Sequence, residues 1–126
     1  MKLRASLLGI LMTTATLPPH AGAGEPLVMR VSPAVAFAPA NLVVRAVIEA
    51  NADNRSVEIV AESVDFYRSS EIQLEGDKGP RTNQFEFRSL PPGTYEVRAS
   101  LIGVNGEKRA HVRQEVNVIS SAAREP

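Results

Sequence analysis

The stretch that decides the fold runs from Thr94 to Val118, TYEVRASLIGVNGEKRAHVRQEVNV. Apolar side chains take every second place over 95–101 and again over 110–118. Asn105-Gly106, which lies between these two runs, strongly favours a two-residue hairpin turn because both central positions of that turn need positive φ. The stretch therefore predicts two antiparallel β-strands, each with one apolar and one polar face.

The same alternation recurs upstream of this hairpin, with turn residues between the runs. The alternating runs cover residues 27–32, 41–49, 57–62, 72–74 and 84–88. The segment 34–40 is proline-bound and too irregular to continue the first run. A helix over 41–50, the competing interpretation, is disfavoured by its valines and isoleucine. The sequence predicts an all-β fold, a single antiparallel β-sandwich of about seven strands.

The segment Leu90-Pro91-Pro92-Gly93-Thr94-Tyr95-Glu96-Val97 resembles the start of strand F in immunoglobulin-like and fibronectin type III-like domains. In those families a Pro-Gly turn leads into a strand whose first inward residue is tyrosine. Its hydroxyl hydrogen-bonds to nearby backbone, an arrangement called the tyrosine corner. The resemblance implies this structural role for Tyr95 and Gly93. The chain has no Cys and no Trp, so an antibody-type domain, with its disulfide and strand-C tryptophan, is excluded.

Three short motifs are similar to those of several small exported bacterial proteins of unassigned function. These motifs are Asn54-Arg55, Leu74-Glu75-Gly76 and Gly93-Thr94-Tyr95. The resemblance implies an immunoglobulin-like sandwich fold and names no activity.

The first 23 residues have the order of a secretory signal peptide. Two basic residues precede an apolar run of 13 residues over 5–17, and small residues ending at Ala23 follow. A run of this length is too short for an uncleaved membrane anchor, which needs about 20 residues. We expect cleavage after Ala23, a sandwich domain over 24–119, a flexible C-terminal tail over 120–126, and a periplasmic or secreted location.

The composition excludes several classes of function. The chain has 14 Lys+Arg and 14 Asp+Glu, and its basic residues do not cluster with aromatic ones, so nucleic acid is not expected as a partner. No apolar run after the signal peptide is long enough to span a membrane. Without cysteine there is no disulfide framework and no thiolate metal site.

The residues offer little for catalysis. Removal of the signal peptide leaves His111 as the one histidine, and its place between apolar neighbours predicts the solvent face of a strand. Ser69-Ser70 lacks the sharp glycine-flanked turn of a nucleophile. Glu58 and Glu62 would be separated by about 13 Å along a strand, too far for a glycosidase pair. We therefore predict no catalytic residues, no cofactor and no enzymatic activity.

Two other features have a binding interpretation. The loops 51–54 and 75–77 offer oxygen atoms to calcium, but neither has an EF-hand pattern, so ordinary turns are favoured and no metal site is predicted. Phe66, Tyr67 and Arg68 form a candidate contact surface for a sugar or a peptide. The favoured alternative places Phe66 in the core and Tyr67 at a sheet edge.

Three classes of function follow. The favoured one is an exported, non-catalytic sandwich module with a structural or protein-interaction role in the bacterial envelope, since the edge strands of such a fold accept an added strand. Its partner would be another envelope or secreted protein. The alternative is a carbohydrate- or calcium-binding module. An enzyme, the third class, would need carboxylates that converge across strands.

Overall fold

The computed structural model describes residues 25–121. The predicted signal peptide and residues 122–126 of the predicted tail lie outside this range. Strands hold 68% of the described residues and helix only 1%, so the all-β prediction is confirmed and the helical alternative over 41–50 is excluded. Between residues 25 and 121, no helix has the length and hydropathy of a membrane span.

Eight strands form two sheets. The three-stranded sheet has the order β1-β3-β6, and the five-stranded sheet has the order β2-β8-β7-β4-β5. The strands are β1 (Leu27–Ser32), β2 (Val35–Phe37), β3 (Ala40–Ile48), β4 (Asn54–Glu62), β5 (Tyr67–Gln73), β6 (Thr82–Leu90), β7 (Gly93–Gly103) and β8 (Lys108–Ile119).

The short strand β2 is where the structure departs from the sequence prediction. Pro33 and Pro39 bound this segment, and between them the chain leaves β1 and joins the other sheet beside β8. The β2–β8 pairing is parallel, so the sandwich is not wholly antiparallel. Backbone hydrogen bonds from Ala38 to Ile119 (2.8 Å) and from Asn117 to Ala34 (2.9 Å) flank it. A three-residue edge strand has too little alternation to be recognised in the sequence.

Strand β5 also differs from the sequence prediction. The sequence predicts a run over residues 72–74. In the structure, β5 covers Tyr67–Gln73, so it begins five residues before that run and ends one residue earlier. Ser69 and Ser70 lie inside this strand and pair with Val60 and Ile59 of β4. The strand is at the sheet edge, where polar residues replace the apolar alternation that a buried strand would need.

The core lies between the two sheets. Alternating side chains of β3, β4 and β7 supply most of it, together with residues of β1, β6 and β8. Tyr95, Phe87, Leu42, Ile59, Leu90 and Leu101 are the largest fully buried side chains. The apolar alternation of the sequence thus points inward, which leaves the polar alternate positions on the two outer faces.

One end of the sandwich, the corner end, is organised around Tyr95. The buried Tyr95 hydroxyl donates a hydrogen bond to the carbonyl oxygen of Pro91 (2.7 Å). The ring meets Phe66 edge to face at a centroid distance of 6.2 Å. At Gly93, an added Cβ would lie 3.2 Å from the side chain of Ser63, so a small residue suits this position. The turn that carries Tyr95 therefore packs closely on the β4–β5 loop.

The opposite end, the loop end, is organised around Asn54. Its side-chain amide donates to the carbonyl of Glu49 (2.9 Å) and accepts from Arg109 (2.6 Å). The next turn docks here, because the backbone N–H of Gly76 donates to the carbonyl of Asn54 (3.2 Å). Gly76 has φ +59°, and an added Cβ would lie 3.1 Å from the carbonyl oxygen of Ala52. The motifs Asn54-Arg55 and Leu74-Glu75-Gly76 are therefore two halves of one contact.

The two open sides of the sandwich are closed by side chains. The amide of Gln114 in β8 exchanges two hydrogen bonds with the backbone of Val31 in β1 (3.0 and 2.9 Å). On the other side, Arg68 of β5 donates to the carbonyl of Arg88 in β6 (2.8 Å). Both contacts occupy backbone groups at strand edges that a further strand would otherwise pair with.

Candidate functional site on the outer face of the five-stranded sheet

The register of the five-stranded sheet places charged residues in rows across its outer face. Glu62 lies opposite Glu96 and Glu96 opposite Glu115, and in the next row Arg98 lies opposite Arg113. A third row places Glu58 opposite both Glu71 and Ser100, with His111 beyond Ser100. The five glutamates on this face are Glu58, Glu62, Glu71, Glu96 and Glu115. We call the surface that carries them the acidic face.

The middle of the acidic face is an ion-pair network. Arg98 contacts Glu62 (3.0 Å) and Glu96 (2.8 Å), and Arg113 contacts the second oxygen of Glu96 (3.2 Å). The hydrogen bond from Arg98 holds the pKa of Glu96 below its ordinary value, and the charge of Arg113 adds to this effect. The same hydrogen bond to Glu96, followed by that to Glu62, raises the pKa of Arg98. These charges compensate one another within the chain.

A groove of about 670 Å³ runs beside this network at the corner end. It combines the carboxylates of Glu62 and Glu96 with the guanidinium of Arg113 and the fully exposed side chain of Val64. The groove lies where β4, β7 and β8 run side by side, so the sheet supplies its floor. Glu62 and Glu96 are already paired with arginine, so Glu115 is the one lining carboxylate of this groove without an ion pair among the described residues.

Glu58 and Glu71, by contrast, are uncompensated. They lie directly opposite each other on β4 and β5, and both are exposed. Within residues 25–121 neither carboxylate takes part in an ion pair. They line a groove of about 290 Å³ with Val60, Ser69 and Tyr67, whose side chain is 59% exposed. We call Glu58 and Glu71 the acidic pair.

The candidate contact surface of the sequence analysis divides in the structure. Phe66 packs against the core, and the guanidinium of Arg68 lies 5.0 Å from the centre of its ring. Tyr67 lies opposite Glu62 and belongs to the acidic face. The trio therefore contributes one aromatic side chain to the outer surface, while Phe66 and Arg68 close the sandwich.

His111 lies on the solvent face of β8, and its ring nitrogen Nδ1 is 3.1 Å from the hydroxyl of Ser100. Ser100 is only 7% exposed. A hydrolytic triad contains a serine and a histidine in contact, and it also needs a third group that orients the imidazole. No carboxylate of the described residues is hydrogen-bonded to His111, so we assign no hydrolytic role to this contact.

The two candidate calcium loops come together at the loop end, where several of their backbone and amide oxygen atoms already accept hydrogen bonds. The Arg55 guanidinium donates hydrogen bonds to the carbonyl oxygens of Ala52 and Asn54 (both 2.8 Å). Asn51 accepts from the backbone N–H of Asp53 (2.8 Å). Across residues 25–121, no three metal-ligating side chains from His, Cys, Asp and Glu are grouped in a way that could hold an ion.

Comparison with solved structures shows which proteins share this fold. The chain is similar to the superoxide reductase (neelaredoxin) of Ignicoccus hospitalis, with a TM-score of 0.60 and 12% identity over 75% of this chain and 80% of that one. A variant of the same neelaredoxin gives 0.52 and 9% identity, over 74% and 79%. A family 76 glycoside hydrolase from a bovine Bacteroides thetaiotaomicron strain gives 0.55 and 19%, over 75% of this chain but 20% of that one.

At these identities the likeness shows the fold alone, a two-sheet β-sandwich. No protein-family model and no curated protein matches the sequence. The resemblance to immunoglobulin-like and fibronectin type III-like domains stays a prediction.

These neighbours correct the function expected from the sequence. That expectation was a non-catalytic module with a structural or protein-interaction role in the envelope, or else a carbohydrate- or calcium-binding module. This prediction is wrong, because it took the fold to indicate a non-catalytic role, and a superoxide reductase has the same fold. The missing catalytic motifs of the sequence therefore give no ground for calling this sandwich a non-catalytic module.

The donor set of residues 25–121 does not fit a redox centre. One-electron and oxygen chemistry is carried by haem, flavin, copper or non-haem iron, and protein sites for such metals draw on imidazole and thiolate ligands. The sequence has no cysteine, and His111 is the one histidine of residues 25–121. We derive no redox step for this chain.

Proposed function

We propose that this chain binds organic cations, molecules with ammonium or guanidinium groups, at the acidic pair of its five-stranded sheet. The observation that carries the proposal is the direct opposition of Glu58 and Glu71, with no cationic partner among the described residues. Like charges directly opposite each other on adjacent strands destabilise a sheet. A cation between the two carboxylates removes that repulsion.

Tyr67 supports the proposal from the rim of the same groove. A tyrosine ring attracts a cation over its face through its quadrupole, and 59% of this side chain is exposed. Val60, on the floor of the groove, offers an apolar surface to the methylene groups between two ammonium groups. Carboxylates, an aromatic ring and an apolar floor together favour an alkyl polyamine over a metal ion.

The affinity expected from this arrangement is modest. The carboxylates are exposed, and exposed ion pairs contribute about 0–1 kcal/mol each. Three such contacts sum to at most about 3 kcal/mol, which corresponds to a dissociation constant of several millimolar or weaker. Binding should weaken as salt is added, because exposed charges are screened.

Titration of the protein with spermine, followed through backbone amide NMR shifts, tests the proposal. At an ionic strength of about 0.01 M, where the Debye length is about 30 Å, we expect shifts centred on Glu58, Tyr67 and Glu71. The double variant E58Q/E71Q should lose the response. The matched control E25Q/E75Q removes two exposed carboxylates from outside the face and should bind as the unmodified chain does. Equal binding by both variants would contradict the proposal.

We also propose that the chain is exported and that its signal peptide is removed after Ala23. The support is the order of charges and apolar residues in the first 23 positions. Expression of the full chain in a bacterial host, followed by N-terminal sequencing of the envelope and medium fractions, tests this. We expect a chain that begins at Gly24. An intact Met1 in the cytoplasmic fraction would contradict it.

A further inference from the structure

The outer face of the three-stranded sheet carries the opposite arrangement of charge. Arg30 of β1 lies directly opposite Arg45 of β3, and both are exposed. Neither guanidinium has an ion-pair partner or a side-chain hydrogen bond within residues 25–121. We call Arg30 and Arg45 the basic pair. Like the acidic pair, it is a repulsive cross-strand pair that the chain leaves uncompensated.

The two pairs match in spacing and in surroundings. Each is a direct cross-strand pair of an antiparallel ladder, so each holds its two Cβ atoms about 4.5–5.5 Å apart. Beside the basic pair runs an apolar row, Val28 opposite Val47. Beside the acidic pair lies Val60, in a row that also holds Ser69 and Arg98. Each outer face thus places at least one valine next to its charged pair.

A single chain cannot bring the two pairs together. They lie on opposite outer faces of the sandwich, and stacked sheets are about 10 Å apart even before the outward side chains are counted. Only another molecule can bring a guanidinium pair to Glu58 and Glu71, or a carboxylate pair to Arg30 and Arg45.

We propose that a second copy of this chain supplies the cations, its basic pair binding the acidic pair of the first copy so that sandwiches stack face to face. This inference rests on the proposed binding of organic cations at the acidic pair. Guanidinium is well suited to the contact, because its planar fork of N–H donors matches a carboxylate with two parallel hydrogen bonds.

The contact joins two different surfaces and is therefore heterologous. Each bound copy still presents one free acidic face and one free basic face, so stacking continues and forms an open series of oligomers rather than a closed dimer. Because the charges are exposed, we expect association in the millimolar range that weakens as salt is added.

Sedimentation velocity over a concentration series, at low and at high salt, tests the stacking. We expect the mean mass to grow with concentration at low salt and to fall to that of the monomer at high salt. Two charge-reversed chains sharpen the test, R30E/R45E and E58R/E71R. Each carries the same charge on both outer faces, so each alone should associate about tenfold more weakly or stay monomeric.

The mixture of the two variants is the decisive measurement. In an equimolar mixture the intact basic pair of E58R/E71R meets the intact acidic pair of R30E/R45E, and the reversed pairs complement each other. Association should therefore return on mixing. Circular dichroism and thermal melting of each variant show that both are folded. A mixture that stays monomeric, or a single variant that associates like the unmodified chain, would overturn the stacking.

Spermine binding separates this inference from the proposed function. The neutral variant R30Q/R45Q removes the basic pair but keeps Glu58, Glu71 and Tyr67, so it should bind spermine whether or not copies stack. If the unmodified chain stays monomeric while R30Q/R45Q binds spermine, the stacking is wrong and cation binding stands. If R30Q/R45Q does not bind spermine, cation binding is wrong and the stacking inferred from it is withdrawn.

Discussion

Each end of the sandwich is held by one buried polar residue, but the hydrogen bonds of these two residues span different distances in the sequence. At the corner end, Tyr95 donates to Pro91, four residues earlier. At the loop end, Asn54 accepts from Arg109, which lies 55 residues away. The hydrogen bond of the corner end therefore forms within one short segment. The loop end is complete only when β4 and β8 are both in register with β7.

The largest effect should come from removing the side chain at the loop end. Asn54→Ala leaves the carbonyl of Glu49 and the guanidinium of Arg109 without their buried partner. We expect a loss of about 3 kcal/mol in the free energy of unfolding, since each unsatisfied buried group costs about 1–3 kcal/mol. Urea unfolding measures it. Asn83→Ala, which removes one exposed hydrogen bond to Pro80, is the control and should cost less than about 0.5 kcal/mol.

A smaller loss is expected at the corner end. Tyr95→Phe keeps the buried ring and removes the hydroxyl, which leaves the carbonyl of Pro91 without this hydrogen bond. We expect a cost of about 2 kcal/mol, within the range for one buried hydrogen bond. Tyr67→Phe removes a hydroxyl from an exposed ring and should change stability by less than about 0.5 kcal/mol. If the two variants melt alike, the corner hydroxyl contributes nothing.

Gly76 tests how closely the turn of the loop end must approach. Gly76→Ala introduces a Cβ at φ +59°, 3.1 Å from the carbonyl oxygen of Ala52. The left-handed backbone costs a residue with a Cβ about 1 kcal/mol, and the crowding adds to it. Gly106→Ala is the control, because Gly106 also has positive φ (+78°) but nothing lies within 4 Å of the added Cβ. The difference between the two variants measures the close approach, and equal losses would show that the contact is loose.

The same contrast explains how much the sequence alone predicts. The Pro-Pro-Gly-x-Tyr segment indicates the corner end because its hydrogen bond, from Tyr95 to Pro91, lies within a few residues. The motifs of the loop end are visible as motifs, but nothing in the sequence says that Gly76 docks on Asn54. The acidic pair is less visible still, because Glu58 and Glu71 come together only through the register of β4 with β5. Alternation predicts which side chains point outward, and it says nothing about which ones meet.

The smallest effect belongs to the surface beside the corner end, where Glu96 binds Arg98. The folded chain holds the pKa of Glu96 below its ordinary value of 4.5, chiefly through this hydrogen bond. The carboxylate therefore stabilises the fold above pH 4.5, and this contribution is lost as the pH falls through the lowered pKa.

Urea unfolding over a series of pH values measures this contribution. Glu96→Gln should show a flatter acid limb than the unmodified chain, and Arg98→Gln should flatten it similarly because the carboxylate loses the guanidinium that holds its pKa down. The curves should converge in strong acid, where Glu96 is protonated in both folded and unfolded chains. An acid limb unchanged by either substitution would mean that solvent fully screens this pair and that it contributes nothing to stability.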